Sequence, residues 1–173
     1  MNEWSLMKYV RGGGCASKIG PGDLSGILCD IEVMIGLNDK ASRIMRQVDA
    51  HAATDVTGFG LVGHLSEMIA ESIGVELSLE EIPLLPDAVR LHSSGVASGG
   101  LRRNREFYGP RLSYGGNDVR VDLLFDPQTS GGLLFAIDAD SRPLIRSLGR
   151  DMGQEITVIG RFTDAPGGRI RLT

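Results

Sequence analysis

The placement of glycine is the feature of this sequence that most constrains its fold. The chain contains 24 glycines. Most of them lie in close groups: Gly12 to Gly14, Gly58 and Gly60, Gly99 and Gly100, Gly115 and Gly116, Gly131 and Gly132, and Gly167 and Gly168. Glycine has no Cβ atom, so such groups occur where the backbone needs a positive φ or approaches another group closely. These groups therefore predict turns and close contacts between short elements.

Helical and strand patterns alternate between these turns. HAATDVTGFGLVGHLSEMIAESIG predicts a short strand, a glycine turn and a helix that ends at Gly74. Further helices are predicted within Asp30–Val48 (with a break near Gly36–Asn38), at Asp87–Leu91 and at Ser141–Met152. Strands are predicted at Val75–Leu79, Ser130–Asp138, Ile156–Phe162 and Arg169–Leu172. Val119–Phe125 fits either a helix or a strand. The alternation, with antiparallel closing strands, predicts an α+β fold whose helices pack on one sheet.

Size and composition are typical of a soluble globular protein. The 173 residues predict one domain, and 42% of them are hydrophobic while 23% are charged. The net charge is −4 and the arginines are scattered, so we expect no nucleic-acid partner. No apolar run is long enough to span a membrane, and the N-terminus MNEWSLMKYV lacks the order of a signal peptide. We therefore expect a cytoplasmic protein with no membrane partner.

Two cysteines and a lysine near the N-terminus deserve separate consideration. Cys15 and Cys29 are too few for a disulfide scaffold or a tetrahedral zinc site. In the stretch RGGGCASKIGP, Cys15 could act as an accessible thiolate, with Lys18 lowering its pKa or holding an anion. From the spacing alone, a glycine-rich tail that happens to contain a cysteine is the commoner explanation.

Asp55, in the motif TDVTGFG, is a candidate metal ligand. A carboxylate ahead of a glycine turn that opens a helix suits Mg²⁺, and the helix N-terminus beyond it suits phosphate oxygens. The alternative is that Asp55 caps the helix, since Asp oxygens often satisfy free N–H groups at helix N-termini. Taken by itself, the capping role is the more common one.

Other polar residues have structural explanations that are more common than functional ones. His64 falls on the apolar side of the predicted helix, which favours a hydrogen-bonded packing residue, and His51 and His92 lack partners at metal-ligand spacing. The arginines of GGLRRNREFYG, namely Arg102, Arg103 and Arg105, could grip an anion, although a solvated basic loop is commoner. Asp126 precedes Pro127 and predicts a turn.

Three of these motifs together resemble one family. HAATDVTGFGLVGHLSEM, GGLRRNREFYG and LLFDPQTSGGLL, in this order and at this separation, are similar to the C-terminal half of the selenophosphate synthetases (selenide, water dikinases). The closing segment ITVIGRFTDAPGGRIRLT resembles the C-terminus of the same family, so the similarity covers roughly Ile31–Thr173. GGGCASKIGP resembles the N-terminal catalytic loop of that family.

The resemblance implies a fold, a reaction and a set of site residues. The fold would be the C-terminal domain of the aminoimidazole ribonucleotide synthetase-like superfamily, with helices packed on a mixed sheet. The family makes selenophosphate from selenide, ATP and water with Mg²⁺, and releases AMP and orthophosphate. Cys15 and Lys18 match the essential cysteine (or selenocysteine) and lysine of the family, with Lys18 also facing ATP. Asp55 matches its Mg²⁺-ligating aspartate.

The sequence departs from the family pattern at one place. In the family, an ATP-binding domain with further Mg²⁺-binding aspartates lies between the catalytic loop and the C-terminal half. Here Leu28 runs through Cys29, which has no family role, directly into Asp30. We therefore expect residues 1–28 to be a mobile remnant of the catalytic loop and residues 29–173 to be the synthetase-like domain. We expect the shortened chain to be inactive, or nearly so, by itself, since one aspartate cannot organise several Mg²⁺ ions.

A non-enzymatic role is the alternative. The domain would then be a binding or regulatory module that pairs with a full-length synthetase. Loss of the ATP-binding domain would uncover apolar surface, and large exposed apolar patches promote association. Self-association is therefore also expected.

Overall fold

The computed structural model describes residues 4–8 and 35–173. The strands are β1 (Trp4–Lys8), β2 (Ala52–Asp55), β3 (Gly74–Leu77), β4 (Leu112–Ser113), β5 (Leu133–Asp138), β6 (Thr157–Thr163) and β7 (Ile170–Leu172). The α-helices are α1 (Asp39–Gln47), α2 (Gly60–Met68), α3 (Ala88–Ser93), α4 (Gly99–Tyr108), α5 (Arg120–Leu123) and α6 (Arg142–Asp151). Short 3₁₀ turns lie at Leu79–Glu81, Gly109–Arg111 and Ala139–Ser141.

The strands form one mixed sheet in the order β2-β5-β1-β6-β3-β7-β4. β1 is antiparallel to both β5 and β6, β2 is antiparallel to β5, and β3 is antiparallel to β6. β7 is parallel to both β3 and β4. The predicted α+β class with a mixed sheet is confirmed. Among the described residues, no helix has the length and apolar character needed to cross a membrane.

Helices cover both faces of the sheet, and each face has its own core. On one face, α2 and the segments around α4 and α5 pack on the sheet, with Leu65, Leu77, Phe125 and Leu134 fully or almost fully buried. On the other face, α1 and α6 pack on β5, whose residues Phe135 and Ile137 meet Ile44 and Ile145. The alternation of side chains along a strand sends successive residues of β5 to opposite cores, so this strand is buried on both sides.

Strand β1 was not predicted from the sequence. Trp4–Lys8 lies inside the sheet, paired along its length with β5 and β6. Leu6 on this strand is completely buried. The expectation that residues 1–28 form a mobile segment is therefore wrong for these five residues. The reason is that pairing with β5 and β6 is long-range, so no local pattern signals it. The remainder of that segment, and Cys29 directly after it, lie outside the described residues.

Three other elements differ from their predictions. Helix α2 ends at Met68, not at Gly74, because Ile69 takes an extended conformation with φ −93° and ψ 120°. A turn closed by the Ile73 N–H on the Ala70 carbonyl then leads into β3. The segment GGLRRNREFY is helix α4, not a loop, and its N-cap Ser98 accepts a hydrogen bond from the Leu101 N–H at 2.9 Å. β6 and β7 run in opposite directions as expected, but β3 lies between them.

Replacing Leu6 with alanine tests the place of β1 in the core. We expect Leu6→Ala to lower the free energy of unfolding by about 2–5 kcal/mol, as for other buried leucines. Urea denaturation followed by circular dichroism would measure the change. If the midpoint stays within experimental error of the wild type, residues 4–8 do not contribute to the folded domain.

Glu76 should stabilise the folded domain in a pH-dependent way. Arg161 and Arg171 on the flanking strands β6 and β7 both bond to the Glu76 carboxylate, and the hydrogen bonds from Arg161 and then Arg171 hold its pKa below the ordinary value. Because the folded-state pKa is depressed, this stabilisation is complete at neutral pH. It is lost as the pH falls below about 4.3, the ordinary Glu value, and through the lower pKa of the folded state.

The substitution Glu76→Gln should therefore destabilise the domain by about 1 kcal/mol at pH 7, a small value because both arginines are largely solvated. Urea unfolding of the two proteins at pH 7 and pH 3 would measure the difference, which should shrink at pH 3. An undiminished difference at pH 3 would contradict the assignment of the effect to the ionised carboxylate.

Candidate functional site

The three sequence motifs that are far apart in the chain come together at one end of the sheet. The turn after β2 contains TDVTGFG, and the DPQTSGG segment leads into β5. The two are joined by backbone hydrogen bonds from the Gln128 N–H to the Thr57 carbonyl at 2.9 Å and from the Gly131 N–H to the Val56 carbonyl at 3.0 Å. Helix α4 carries GGLRRNREFY, and its Asn104 bonds to Gly58 in the turn and to Phe125, which directly precedes DPQTSGG.

Asp55 is the last residue of β2, and its side chain is exposed. Its Cα lies opposite Leu133 at the start of β5. The carboxylate makes no hydrogen bond or ion pair with any other residue in the described ranges. The capping role is wrong, because α2 starts five residues later at Gly60, with Phe59 as N-cap and no side-chain cap bond. A solvent-facing carboxylate without a structural partner is available to bind a cation.

Asn104 is the residue that connects all three motifs, and the sequence analysis did not identify it. Its buried side-chain amide Nδ2 donates to the Gly58 carbonyl at 2.9 Å and to the Phe125 carbonyl at 2.9 Å. Both N–H groups of the amide are thereby used. The flanking arginines of RRNRE suggested a solvated segment, and only the helical period of α4 turns Asn104 inward beside Leu101.

His64 is a hydrogen-bonded packing residue, as predicted. It is buried on α2, and its Nε2 lies 3.1 Å from Thr57 Oγ1 and 3.4 Å from the Phe59 backbone nitrogen, which donates to it. Its Nδ1 faces the Glu67 carboxylate at 3.8 Å. His64 therefore fixes the turn after Asp55 from the side opposite to solvent.

Aromatic rings line the outer side of this turn. The Phe59 ring lies 5.2 Å from the His64 ring and 5.9 Å from the Tyr108 ring, and Tyr108 meets Phe107 edge-on at 4.8 Å. Burial, followed by the nearby Glu67 carboxylate, raises the pKa of Tyr108 above its ordinary value. The phenol therefore stays protonated at neutral pH.

One of the three arginines of α4 is already engaged by a carboxylate. Arg105 is ion-paired with Asp122. The same carboxylate also lies 3.3 Å from His92 Nε2. Arg102 and Arg103 are exposed. Asp126 accepts a hydrogen bond from the Ser98 hydroxyl at 2.6 Å, so it ties the predicted turn to the N-terminus of α4.

The described residues do not contain a complete metal site. Within residues 4–8 and 35–173, no group of three or more His, Cys, Asp or Glu side chains could hold a metal ion. Magnesium is often bound through one or two carboxylates, with waters and substrate phosphates completing its octahedron. The exposed Asp55 carboxylate fits such a role. Cys15 and Lys18 lie outside the described residues.

The family to which the chain belongs is identified by a family model that matches most of its residues. Residues 30–173 match the model of the family described as AIR synthase related protein, C-terminal domain. The chain belongs to this family. The matched range contains all three motifs and most of the described structure.

Several curated relatives are named selenide, water dikinase. Those of Carboxydothermus hydrogenoformans and Salmonella typhi are each 41% identical over 140 residues, which cover 79% and 80% of this chain and 40% of each relative. The relative from Pelobacter propionicus is 38% identical over 144 residues, which cover 81% of this chain and 41% of that protein. The chain thus matches about two fifths of the length of these relatives.

Solved structures show the same fold at lower identity. A thiamine-monophosphate kinase from Stenotrophomonas maltophilia K279a is 17% identical with a TM-score of 0.61, and the match covers 99% of this chain and 50% of that one. The hydrogenase maturation protein HypE, solved in complex with ATP, is 14% identical with a TM-score of 0.56, covering 99% and 48%. At these identities the likeness concerns the fold alone.

Substitution by alanine should destabilise the domain far more at one glycine of the TGFG turn than at the other. Gly60 has φ +70°, and an added Cβ would lie 2.8 Å from the Phe125 carbonyl carbon. A Cβ at Gly58 would meet nothing within 4 Å. We expect Gly60→Ala to lower the free energy of unfolding by more than about 2 kcal/mol and Gly58→Ala to change it by less than about 1 kcal/mol, measured by urea denaturation. Equal effects of the two substitutions would contradict this difference in environment.

Proposed function

We propose that this chain takes part in the synthesis of selenophosphate from selenide, ATP and water, with release of AMP and orthophosphate. In this reaction Asp55 binds Mg²⁺, Cys15 handles the selenide and Lys18 neutralises the phosphate charge of ATP. Selenide and ATP are the substrates, and Mg²⁺ is the required ion. The proposal is supported by relatives of about 40% identity named selenide, water dikinase and by HypE, a protein of the same fold that was solved in complex with ATP.

The observation that carries the proposal is the direction of two strands. β1 and β2 are both antiparallel to β5, so they run the same way and end at the same end of the sheet. Lys8, at the end of β1, pairs with Leu134, while Asp55, at the end of β2, pairs with the neighbouring Leu133. With β5 alone between the two strands, the backbones at Lys8 and Asp55 are separated by about 10 Å, which is two strand spacings.

The number of residues after β1 is sufficient for Cys15 and Lys18 to reach Asp55. Cys15 follows Lys8 by seven residues and Lys18 follows it by ten. Seven extended residues reach at most about 25 Å, which is more than twice the separation of Lys8 from Asp55. A thiolate, an ammonium group and a carboxylate can therefore meet at this end of the sheet, where the glycine turn after Asp55 also lies.

Each group has a chemical role that suits its type. A bound Mg²⁺ would neutralise charge on the transferring phosphate, and the Asp55 carboxylate would hold it. The Lys18 ammonium would add a second positive charge on the phosphate chain. A thiolate is a soft nucleophile that suits the handling of selenide. Further Mg²⁺ ligands would come from the nucleotide-binding part that the longer relatives have room for.

The second candidate function is a module that pairs with a full-length synthetase. It is favoured by exposed apolar side chains near the turn after Asp55. Leu37 and Phe107 are 77% and 76% exposed and are the most exposed large apolar residues of the described chain, followed by Ile35 at 71%. Asn38, next to Leu37, donates to the Gly131 carbonyl at 3.4 Å, and Phe107 meets the Tyr108 ring edge-on. Exposed apolar side chains of this kind also favour self-association.

Calorimetric titration with Mg·ATP tests the role of Asp55. We expect Asp55→Asn to weaken binding at least tenfold, because the substitution removes the charge that attracts Mg²⁺ while it keeps the shape of the side chain. Asp140→Asn is the matched control, since Asp140 is exposed beyond the opposite end of β5. Wild-type affinity in Asp55→Asn would overturn the assignment.

The same proteins separate the two functions. Mg·ATP binding together with selenide-dependent AMP release favours the synthetase. No binding of Mg·ATP, together with a complex of the chain and a full-length selenide, water dikinase in sedimentation velocity, would replace the proposed function with the pairing module.

A further inference from the structure

We propose that Asn104 is a positioning residue for the Asp55 site, an inference that rests on the proposed function. Its side-chain amide fixes the orientation of the Gly58–Phe59 peptide, and with it the turn that follows Asp55. Asn104 does not touch the metal or the nucleotide in this proposal. It acts through the backbone of the turn, which presents Gly58 to the ligand.

The Gly58–Phe59 peptide is held at both of its polar ends. In a trans peptide, the carbonyl and the N–H group point in opposite directions. The Gly58 carbonyl accepts from Asn104 Nδ2 at 2.9 Å on one side, and the Phe59 N–H donates to His64 Nε2 at 3.4 Å on the other. Rotation of this peptide would break both bonds, so the pair defines one orientation of the turn.

The second bond of Asn104 couples the turn to the rest of the site. The same Nδ2 atom donates to the carbonyl of Phe125, which precedes the DPQTSGG segment. That segment in turn donates from Gln128 to the Thr57 carbonyl at 2.9 Å. Asn104 therefore sets the spacing between the two segments that flank Asp55, and not only the local shape of one of them.

The turn leaves one backbone surface open after these bonds are made. Gly58 is exposed, and a Cβ there would meet nothing within 4 Å, whereas Gly60 and Gly63 are in close contact with their neighbours. Close packing therefore explains the absence of a side chain at Gly60 and Gly63, but it does not explain the glycine at position 58. A bare backbone at Gly58 lets a ligand held by Asp55 approach closely. The bonds from Asn104 and His64 hold this surface in place.

Asn104→Asp is the test variant, because a carboxylate has the same shape but no N–H to donate and would repel both carbonyl oxygens. Asn117→Asp is the matched control, since it adds the same charge at an exposed loop position. Amide hydrogen exchange of Phe59 and Gly60 is measured by NMR, without ligand, and Mg·ATP affinity is measured by calorimetry well below the unfolding temperature. We expect exchange at least tenfold faster and affinity at least tenfold weaker in Asn104→Asp alone.

The outcomes separate positioning from stability. If Asn104→Asp unfolds at a lower temperature but keeps wild-type exchange at Phe59 and Gly60, or keeps wild-type affinity while folded, the positioning role is overturned. Gly58→Ala provides a second test that leaves Asn104 in place. The substitution should leave the unfolding temperature and the exchange rates unchanged, yet weaken Mg·ATP binding at least tenfold. Unchanged binding would contradict the proposal that the ligand closely approaches the backbone at Gly58.

Failure of the proposed function would look different. A wild-type chain that binds no Mg·ATP overturns that function and the link between the turn and a nucleotide. The exchange measurement needs no ligand, so it still decides whether Asn104 holds the turn.

Discussion

The fold depends on the insertion of β1 between two strands that are joined to each other through α6. β5 and β6 are both antiparallel to β1, so they are parallel to one another with a gap one strand wide. Without β1, the facing backbone groups of two central strands would lose their partners, and each buried unpaired group costs about 1–3 kcal/mol. Five residues from the beginning of the chain therefore hold together a sheet whose other strands come from residues 52 to 172.

The same insertion brings the C-terminal ends of two strands together at one end of the sheet. β1 and β2 deliver their C-terminal ends to the place where β5 starts, so the residues that follow both strands share a neighbourhood. The glycine turn after β2, the segment before β5 and helix α4 then meet around the Asn104 amide. The absence of a side chain at Gly60 and at Gly131 allows these segments to lie close together, since an added Cβ would collide with the backbone of Phe125 or Val56. A candidate site assembled in this way depends on long-range packing more than on any single motif.

Local patterns in the sequence were sufficient for much of this architecture. The strand, glycine turn and helix around TDVTGFG were predicted because apolar periodicity and glycine placement are local signals. The same holds for β5 and α6, and Asp55 was singled out for its position before the turn. β1 was missed because WSLMK borders a glycine-rich run and its pairing partners are more than a hundred residues away. Asn104 was missed because its flanking arginines mask the one inward-facing polar position of α4.

Sequence alone could not separate the glycines of the TGFG turn. The sequence gives no reason to distinguish Gly58 from Gly60. An added Cβ is tolerated at Gly58, however, and collides with the Phe125 backbone at Gly60. The capping alternative for Asp55 failed for a similar reason. It depended on where α2 starts, and tertiary contacts of the turn place that start at Gly60.

The position of Asp55 on β2 has a consequence for the solubility of the protein. In the described part of the chain β2 is an edge strand, with one side of its backbone unpaired. Such edges can recruit strands from other molecules, and a charged side chain on a short strand is one common protection against this. The carboxylate at Asp55 therefore also discourages edge-to-edge aggregation. Selection for binding and selection against aggregation would favour the same residue here.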